Sequence, residues 1–173
     1  MSTYVQYFFD HSGQVLPLFA VAVLWLGFSV LGGAVSGVGR MRALDPLVGW
    51  AWVGFVFTGA GVFLAIPFTY LAMVTAVITI VAGVWIWRRD GGVLPGVFLR
   101  MLVLTIPLLL LVSAMRASQW DEFSDWIIIP RYMLETDAFP SKENSYPNAF
   151  YTGYPYSWHF VTYLASRIAG GLL

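Results

Sequence analysis

The sequence predicts an all-α polytopic membrane protein: a transmembrane helix bundle of four full spans plus a fifth C-terminal helix, with an external amphipathic helix and loop. Of its 173 residues, 59% are hydrophobic and only 10% are charged, and the mean hydropathy is +0.75. These values lie far outside those of soluble domains. The chain also contains four apolar stretches of roughly twenty residues, the length that crosses a bilayer core of about 30 Å.

The four predicted spans are residues 15–38, 47–66, 70–87 and 97–115. Glycines in the first two spans favour the close approach of neighbouring helices. Tryptophans at the end of the third indicate a bilayer surface, and a proline inside the fourth predicts a kink. We therefore divide the chain into a four-helix transmembrane region (1–116), an extracytoplasmic loop (117–157) and a fifth transmembrane helix (158–173).

Basic residues in the short loops predict the orientation. Arg40 and Arg42 lie in the first loop, Arg88 and Arg89 in the third, and the second loop has no basic residue. Because cytoplasmic loops are enriched in Lys and Arg, the N-terminus and the 117–157 loop are expected outside, and we expect a bacterial inner membrane. This loop holds six of the nine acids: Asp121, Glu122, Asp125, Glu135, Asp137 and Glu143.

The last helix is then expected to return towards the cytoplasm. At about sixteen residues it is short for a full crossing. It ends in Gly-Gly-Leu-Leu without a cytoplasmic anchor and carries Arg167 inside it. We therefore expect it to be truncated.

Composition also excludes several classes of protein. The formal net charge is zero, so no basic footprint for nucleic acid exists, and the absence of cysteine excludes disulfides and zinc–thiolate sites. No nucleophile elbow, zinc-protease motif or glycine-rich phosphate loop occurs. His11 and His159 are interpreted as two interfacial histidines, too few and too distant in sequence for a haem or zinc site.

The candidate chemistry lies in residues 120–126, Trp-Asp-Glu-Phe-Ser-Asp-Trp, which follow the fourth span. On a helix, Asp121 and Asp125 share a face, and such like charges repel unless a cation or a proton lies between them. Asp121 can then act as a general base, while Glu122 or Asp125 positions it or helps to hold a divalent cation, with Asp121 and Asp125 as candidate ligands. The alternative is a solvated helix start, which acidic residues favour through the helix dipole.

The rest of the loop has two parts. Residues 121–135 predict a short helix lying along the membrane surface, with a run of three isoleucines for apolar contact and Pro130 bending it. Residues 136–157 predict a loop rich in Pro, Asn and Tyr, whose tyrosines form an aromatic belt or line a groove for a substrate. Arg131 and Lys142 are candidate phosphate ligands, or else ordinary partners of Glu135, Glu143 or lipid headgroups.

Three stretches in this order resemble the first catalytic external loop of the GT-C superfamily of glycosyltransferases. They are Trp-Asp-Glu at 120–122, Arg-Tyr-Met-Leu-Glu-Thr-Asp-Ala-Phe-Pro at 131–140 and Tyr-Pro-Tyr-Ser-Trp-His at 154–159. The resemblance implies a sugar transferase that uses a polyprenyl-phosphate donor at the external membrane face. It implies that Asp121 is the catalytic acidic residue, with Glu122 as its neighbour in the motif. It also implies that Tyr154, Tyr156 and His159 belong to the lipid-donor groove.

Members of this superfamily continue through many more helices, so a complete active site is not expected within this chain alone. The alternative function is a non-catalytic accessory subunit that packs against other membrane subunits in a larger complex. This alternative predicts tolerance of Asp121→Asn and sensitivity to bulky substitutions at Gly32, Gly33, Gly59 or Gly61. The glycosyltransferase interpretation predicts the reverse. Membrane lipid is the expected surrounding in either case.

Overall fold

A computed structural model of the chain describes residues 15–37, 43–92, 96–114, 126–140 and 156–172; in 96–114 the described side chains are those of 99–110. Within these ranges the protein is entirely helical. The helices are α1 (Val15–Ser36), α2 (Asp45–Phe63), α3 (Phe68–Asp90), α4 (Gly96–Ala114), α5 (Ile128–Thr136) and α6 (Ser157–Ala169).

Three of these helices, α1, α2 and α3, are long and apolar enough to cross a membrane, which indicates a membrane protein. Their 22, 19 and 23 residues correspond to lengths of about 28–35 Å at 1.5 Å per residue. Helix α4 contributes a shorter described apolar stretch, Leu99–Leu110. A fourth full span therefore stays a prediction.

Helices α1 and α2 pack in close backbone contact through two glycines. A methyl group at Gly32 would collide with the carbonyl group of Asp45, and one at Gly49 would collide with the carbonyl group of Phe28. The absence of a Cβ at both positions lets the two backbones approach, as small residues do between membrane helices. Some of the glycines in the first two predicted spans therefore mediate helix packing within this bundle.

The core lies where α2, α3, α5 and α6 meet, and it is aromatic. Phe57, Phe68, Phe160 and Tyr163 are fully buried or nearly so. The ring of Phe68 lies edge-on to those of Phe160 and Tyr163, with centroids 5.7 and 5.8 Å apart. Such tilted contacts are the favoured geometry of aromatic pairs. They fix the position of α6 against the turn between α2 and α3.

Helix α5 is amphipathic, as predicted, but its apolar face packs against the bundle. Ile129, Tyr132 and Met133 are buried, whereas Arg131 and Glu135 on the opposite face are exposed. The helix begins at Ile128, so Pro130 lies in its first turn, where a proline needs no hydrogen-bond partner. The part of the predicted 121–135 helix that precedes residue 126 lies outside the described ranges, so the predicted bend at Pro130 stays a prediction.

Helix α6 runs in the same direction as α2. The Nε1 of Trp50, early in α2, donates to the carbonyl oxygen of Ser157 at 3.0 Å, while Arg167 near the end of α6 bonds to Thr69 just after the α2–α3 turn. The sequence predicted an external loop followed by a helix returning to the cytoplasm, which would be antiparallel to α2. The relative direction of these helices corrects that expectation, because aromatic packing along α2 sets where α6 starts.

Candidate functional site

The described residues contain one concentration of polar side chains from three helices, which we call the Asp137 cluster: Thr69, Asp137, Tyr163 and Arg167. The Oδ1 atom of Asp137 accepts hydrogen bonds from the Thr69 backbone N–H at 2.8 Å and from its hydroxyl at 2.9 Å. The Tyr163 hydroxyl donates to the same oxygen at 3.0 Å, and Arg167 does so at 3.3 Å. One carboxylate oxygen thus joins the end of α5 to α3 and α6.

Asp137 caps α3 from outside that helix. The residue that precedes the first turn of α3 is Pro67, whose side chain makes no capping hydrogen bond. The carbonyl oxygen of Asp137 accepts the N–H of Phe68 at 3.1 Å, and its carboxylate accepts the N–H of Thr69. Both are N–H groups that have no partner within their own helix, and a negative charge there is favoured by the helix dipole.

The local backbone makes this geometry possible. Asp137 ends α5 in the left-handed conformation with φ of 59°. Aspartate is among the few non-glycine residues that adopt this region readily. The chain therefore turns at Asp137 so that its side chain and carbonyl group both face α3.

Arg167 is held on the other side of the cluster. Its Nη2 donates to the Thr69 hydroxyl at 2.8 Å and its Nε donates to the Tyr163 hydroxyl at 3.2 Å. The guanidinium carbon lies 5.2 Å from the centre of the Tyr163 ring. An arginine in an apolar helix needs such partners, because an isolated charge there is costly.

Arg167 separates two cavities. On one side is a polar cavity of about 380 Å³ between α5 and α6, lined by Arg131, Glu135, Ser166 and the residues that follow α6. On the other side is an apolar groove of about 470 Å³ among α1, α3 and α6. Within the described part of the chain Arg131 forms no ion pair, so its exposed guanidinium can meet an anionic ligand in the polar cavity.

Two of the predicted groove residues, Tyr156 and His159, lie together at the start of α6. His159 is buried, with 1% of its surface exposed. Its ring is stacked on that of Trp126 with centroids 5.3 Å apart, and the Tyr156 ring lies 5.5 Å away. His159 therefore lies in an aromatic pocket within the protein, and its predicted position at the membrane interface stays a prediction.

Two of the three stretches that carry the superfamily resemblance meet in space. Phe139, in the second stretch, lies with its ring 4.7 Å from that of Tyr156, in the third, and 5.8 Å from that of Phe160. Arg131, also in the second stretch, lines the polar cavity beside Arg167. Phe139 and Tyr156 thus bring the second and third stretches into contact, whereas Arg131 lies in a separate cavity.

The other predicted site residues fall outside the described ranges. They are the catalytic candidates Asp121, Glu122 and Asp125 and the substrate-binding candidates Lys142 and Tyr154. The predicted cation site has Asp121 and Asp125 as its ligands, so it also lies outside the described ranges. Among the described residues, no group of three or more His, Cys, Asp or Glu side chains could hold a metal ion.

The sequence analysis missed the Asp137 cluster, although one signal pointed to it. Arg167 is a charged residue inside an otherwise apolar helix, and such a residue implies a buried or partly buried partner. The partner was not identifiable, since Thr69 and Asp137 are 98 and 30 positions away from Arg167.

Comparisons of the chain with protein families, curated proteins and solved structures give no match.

Proposed function

We propose that the chain is a GT-C-like integral membrane glycosyltransferase, or the membrane part of one, that transfers a sugar from a polyprenyl-phosphate donor at the external membrane face. The observation that supports this most is the contact between the second and third resembling stretches, through Phe139 and Tyr156. Arg131 of the second stretch also lines a polar cavity, which lies at the other end of α6. If the resembling stretches had no function, we would not expect them to contact each other. The resemblance supplies the reaction, and the cavity supplies a place for the donor's charged group.

Each candidate residue has a role in this proposal. Asp121 acts as the general base towards the acceptor hydroxyl, with Glu122 and Asp125 positioning it or sharing a divalent cation. Arg131 and Lys142 meet the donor phosphate, since a guanidinium offers paired N–H donors to phosphate oxygens. Tyr154 and Tyr156 line the donor groove, and His159, which is buried, supports it through its contact with the Tyr156 ring. The N-terminus and the Asp137 end of the acidic loop lie outside the cell membrane in this proposal, whereas Ser157, where α6 starts, lies beside the early part of α2.

The test is an assay of sugar release from radiolabelled polyprenyl-phosphate hexoses by the purified protein. We expect Asp121→Asn to lower the rate by about 10²–10⁴-fold, the usual contribution of a general base. Arg131→Gln is expected to raise KM for the donor with a smaller effect on kcat, because it removes a binding contact. Asp90→Asn is the matched control: Asp90 is an acid on α3 that pairs with Arg89 at 2.8 Å, away from the proposed site.

Full activity in the Asp121→Asn protein would contradict the proposal. Release of sugar by the wild-type protein that is lost in Asp121→Asn and kept in Asp90→Asn would support it.

A second candidate function, the accessory subunit, is favoured by α4. None of its described side chains, residues 99–110, is buried, and Leu104 and Leu108 are 75% and 59% exposed. A helix so little covered by its own chain offers a face to another membrane helix. Native mass spectrometry of the particle purified in mild detergent separates the two functions. A stable assembly with unrelated subunits supports the accessory role, and a single chain near 19.2 kDa opposes it.

A further inference from the structure

The apolar groove among α1, α3 and α6 has a composition unlike that of the polar cavity beside it. Its walls include Leu24, Phe28, Ala76, Ile80 and Leu164, and its volume is about 470 Å³. Among its described lining residues, Arg167 alone is charged. A groove of this kind fits a hydrocarbon chain that carries a polar group at one end.

Two of the three threonines that line the groove, Thr69 and Thr79, use their hydroxyl groups in hydrogen bonds within the protein. The Thr79 hydroxyl donates to the carbonyl oxygen of Thr75, one turn earlier, at 2.7 Å. Its methyl group faces Gly27 across the groove, where a Cβ would be 3.7 Å away. The Thr69 hydroxyl is used at the mouth, in the Asp137 cluster. The depth of the groove is therefore an apolar surface.

The length of the groove along α3 is about the thickness of one leaflet of a bilayer. It extends along α3 from Thr69 to Ile80, and eleven residues of helix rise about 16 Å. Half of a hydrocarbon core of about 30 Å is roughly 15 Å. The length fits one fatty acyl chain, whereas a polyprenyl chain is several times longer.

Arg167 lies at the end of the groove near the start of α3, where a headgroup would lie. Its Nε and Nη2 are used by Tyr163, Thr69 and Asp137. Its Nη1 makes no hydrogen bond within the part of the chain that the structure describes, and 39% of the side chain is exposed. Two N–H groups thus remain to donate to an anionic oxygen, and arginine suits a phosphate.

We propose that this groove is a binding site for one membrane phospholipid, with an acyl chain along α3 and an anionic phosphodiester headgroup on Nη1 of Arg167. The groove lies on the other side of Arg167 from the polar cavity assigned to the sugar donor, and the lipid proposal does not depend on that function. The bound lipid would fill the gap between α1, α3 and α6. It would therefore act as part of the packed structure.

The experiment is native mass spectrometry of the delipidated protein, incubated in turn with phosphatidylglycerol, phosphatidylcholine and undecaprenyl phosphate. We expect one phosphatidylglycerol per chain to be retained in preference to phosphatidylcholine. Ala76→Phe, which fills the groove, is expected to abolish retention. Val77→Phe is the matched control, because Val77 is 59% exposed on α3 and does not line the groove. Arg167→Gln should lower the preference for the anionic lipid about tenfold, the effect of one charge-assisted hydrogen bond.

Several results would overturn the proposal. They are equal retention of the two phospholipids by the wild-type protein, unchanged retention in Ala76→Phe, and retention of undecaprenyl phosphate in place of phosphatidylglycerol. The last would make the groove a donor site. Because Ala76→Phe can disturb folding, Gly27→Leu, which fills the groove from α1, serves as a second blocking variant, and thermal unfolding confirms that each variant is folded. A variant that loses sugar transfer but retains the lipid, or one that loses the lipid but keeps sugar transfer, shows that the two proposals can fail independently.

Discussion

At the residue scale, Asp137 has the largest structural role among the described polar side chains. Its Oδ1 accepts four hydrogen bonds from Thr69, Tyr163 and Arg167, and its carbonyl oxygen accepts a fifth from Phe68. The carboxylate is partly exposed, at 28% of its side-chain surface. Its ion pair with Arg167 is therefore screened, and most of the stabilisation comes from capping α3 and satisfying the N–H and O–H donors.

We expect Asp137→Ala to lower the free energy of unfolding by about 1–3 kcal/mol, because it removes a helix cap and leaves several donors without an acceptor. SDS titration in mixed micelles, followed by tryptophan fluorescence, measures this change. Asp90→Ala removes an exposed ion pair with Arg89 and is expected to cost less than about 1 kcal/mol. Equal losses in the two variants would mean that the Asp137 cluster is an ordinary surface contact.

At the element scale, glycines decide how closely the helices pack, and their roles differ. Gly32 and Gly49 face backbone carbonyl groups of the partner helix, and Gly61 faces the ring of Phe139. Of the residues that the structure describes, none has an atom within 4 Å of a Cβ at Gly59. Of the four glycines that the accessory interpretation singles out, Gly59 is therefore the one whose face remains open to another protein.

We expect Gly32→Ala and Gly49→Ala to destabilise the bundle by about 1–3 kcal/mol or more, since overpacking against backbone cannot be relieved by a side-chain rotation. Gly59→Ala should leave the stability of the isolated chain unchanged or raise it slightly, because alanine favours the helix. Thermal unfolding in one detergent compares the three variants. Similar midpoints in all three would show that α1 and α2 do not pack as described.

The same glycine tests the accessory function without disturbing the fold. Gly59→Leu is expected to weaken any complex with other membrane subunits while the isolated chain remains folded. Its effect on assembly is distinguishable from that of Gly32→Ala, which acts on the bundle itself.

At the scale of the whole molecule, the positions of the basic residues predict the orientation in the membrane. Arg40 and Arg42 precede α2, and Arg88 and Arg89 end α3, so both lie at the ends expected in the cytoplasm. The α2–α3 turn, which has no basic residue, is then outside. The Asp137 cluster and the mouth of the apolar groove lie at this same end.

Because the chain has no cysteine, single cysteines report this orientation directly. In intact cells we expect Leu64→Cys, in the exposed α2–α3 turn, to react with a membrane-impermeant maleimide. Gly92→Cys, after α3, should react only when the membrane is permeabilised, and a Cβ there meets no neighbour within the described ranges. The opposite labelling pattern would invert the topology and place the proposed transfer reaction on the cytoplasmic side.

The sequence by itself determined the class of protein and most of its helices. Transfer of apolar side chains from water is a local property of each stretch, so the three long helices and the amphipathic face of α5 follow from composition and spacing. The sequence locates helix starts less precisely, since a proline such as Pro130 fits either a bend within a helix or its first turn.

Only the tertiary structure decided which polar groups meet. Thr69 and Asp137 are 68 positions apart, and Arg167 is 98 positions from Thr69. No periodicity encodes such a pairing. It depends on α6 running beside α2, which the fit of Phe57, Phe68, Phe160 and Tyr163 settles through close packing. The apolar groove, with Arg167 at its mouth, arises from the same arrangement, because three helices separate in sequence must come together to form its walls.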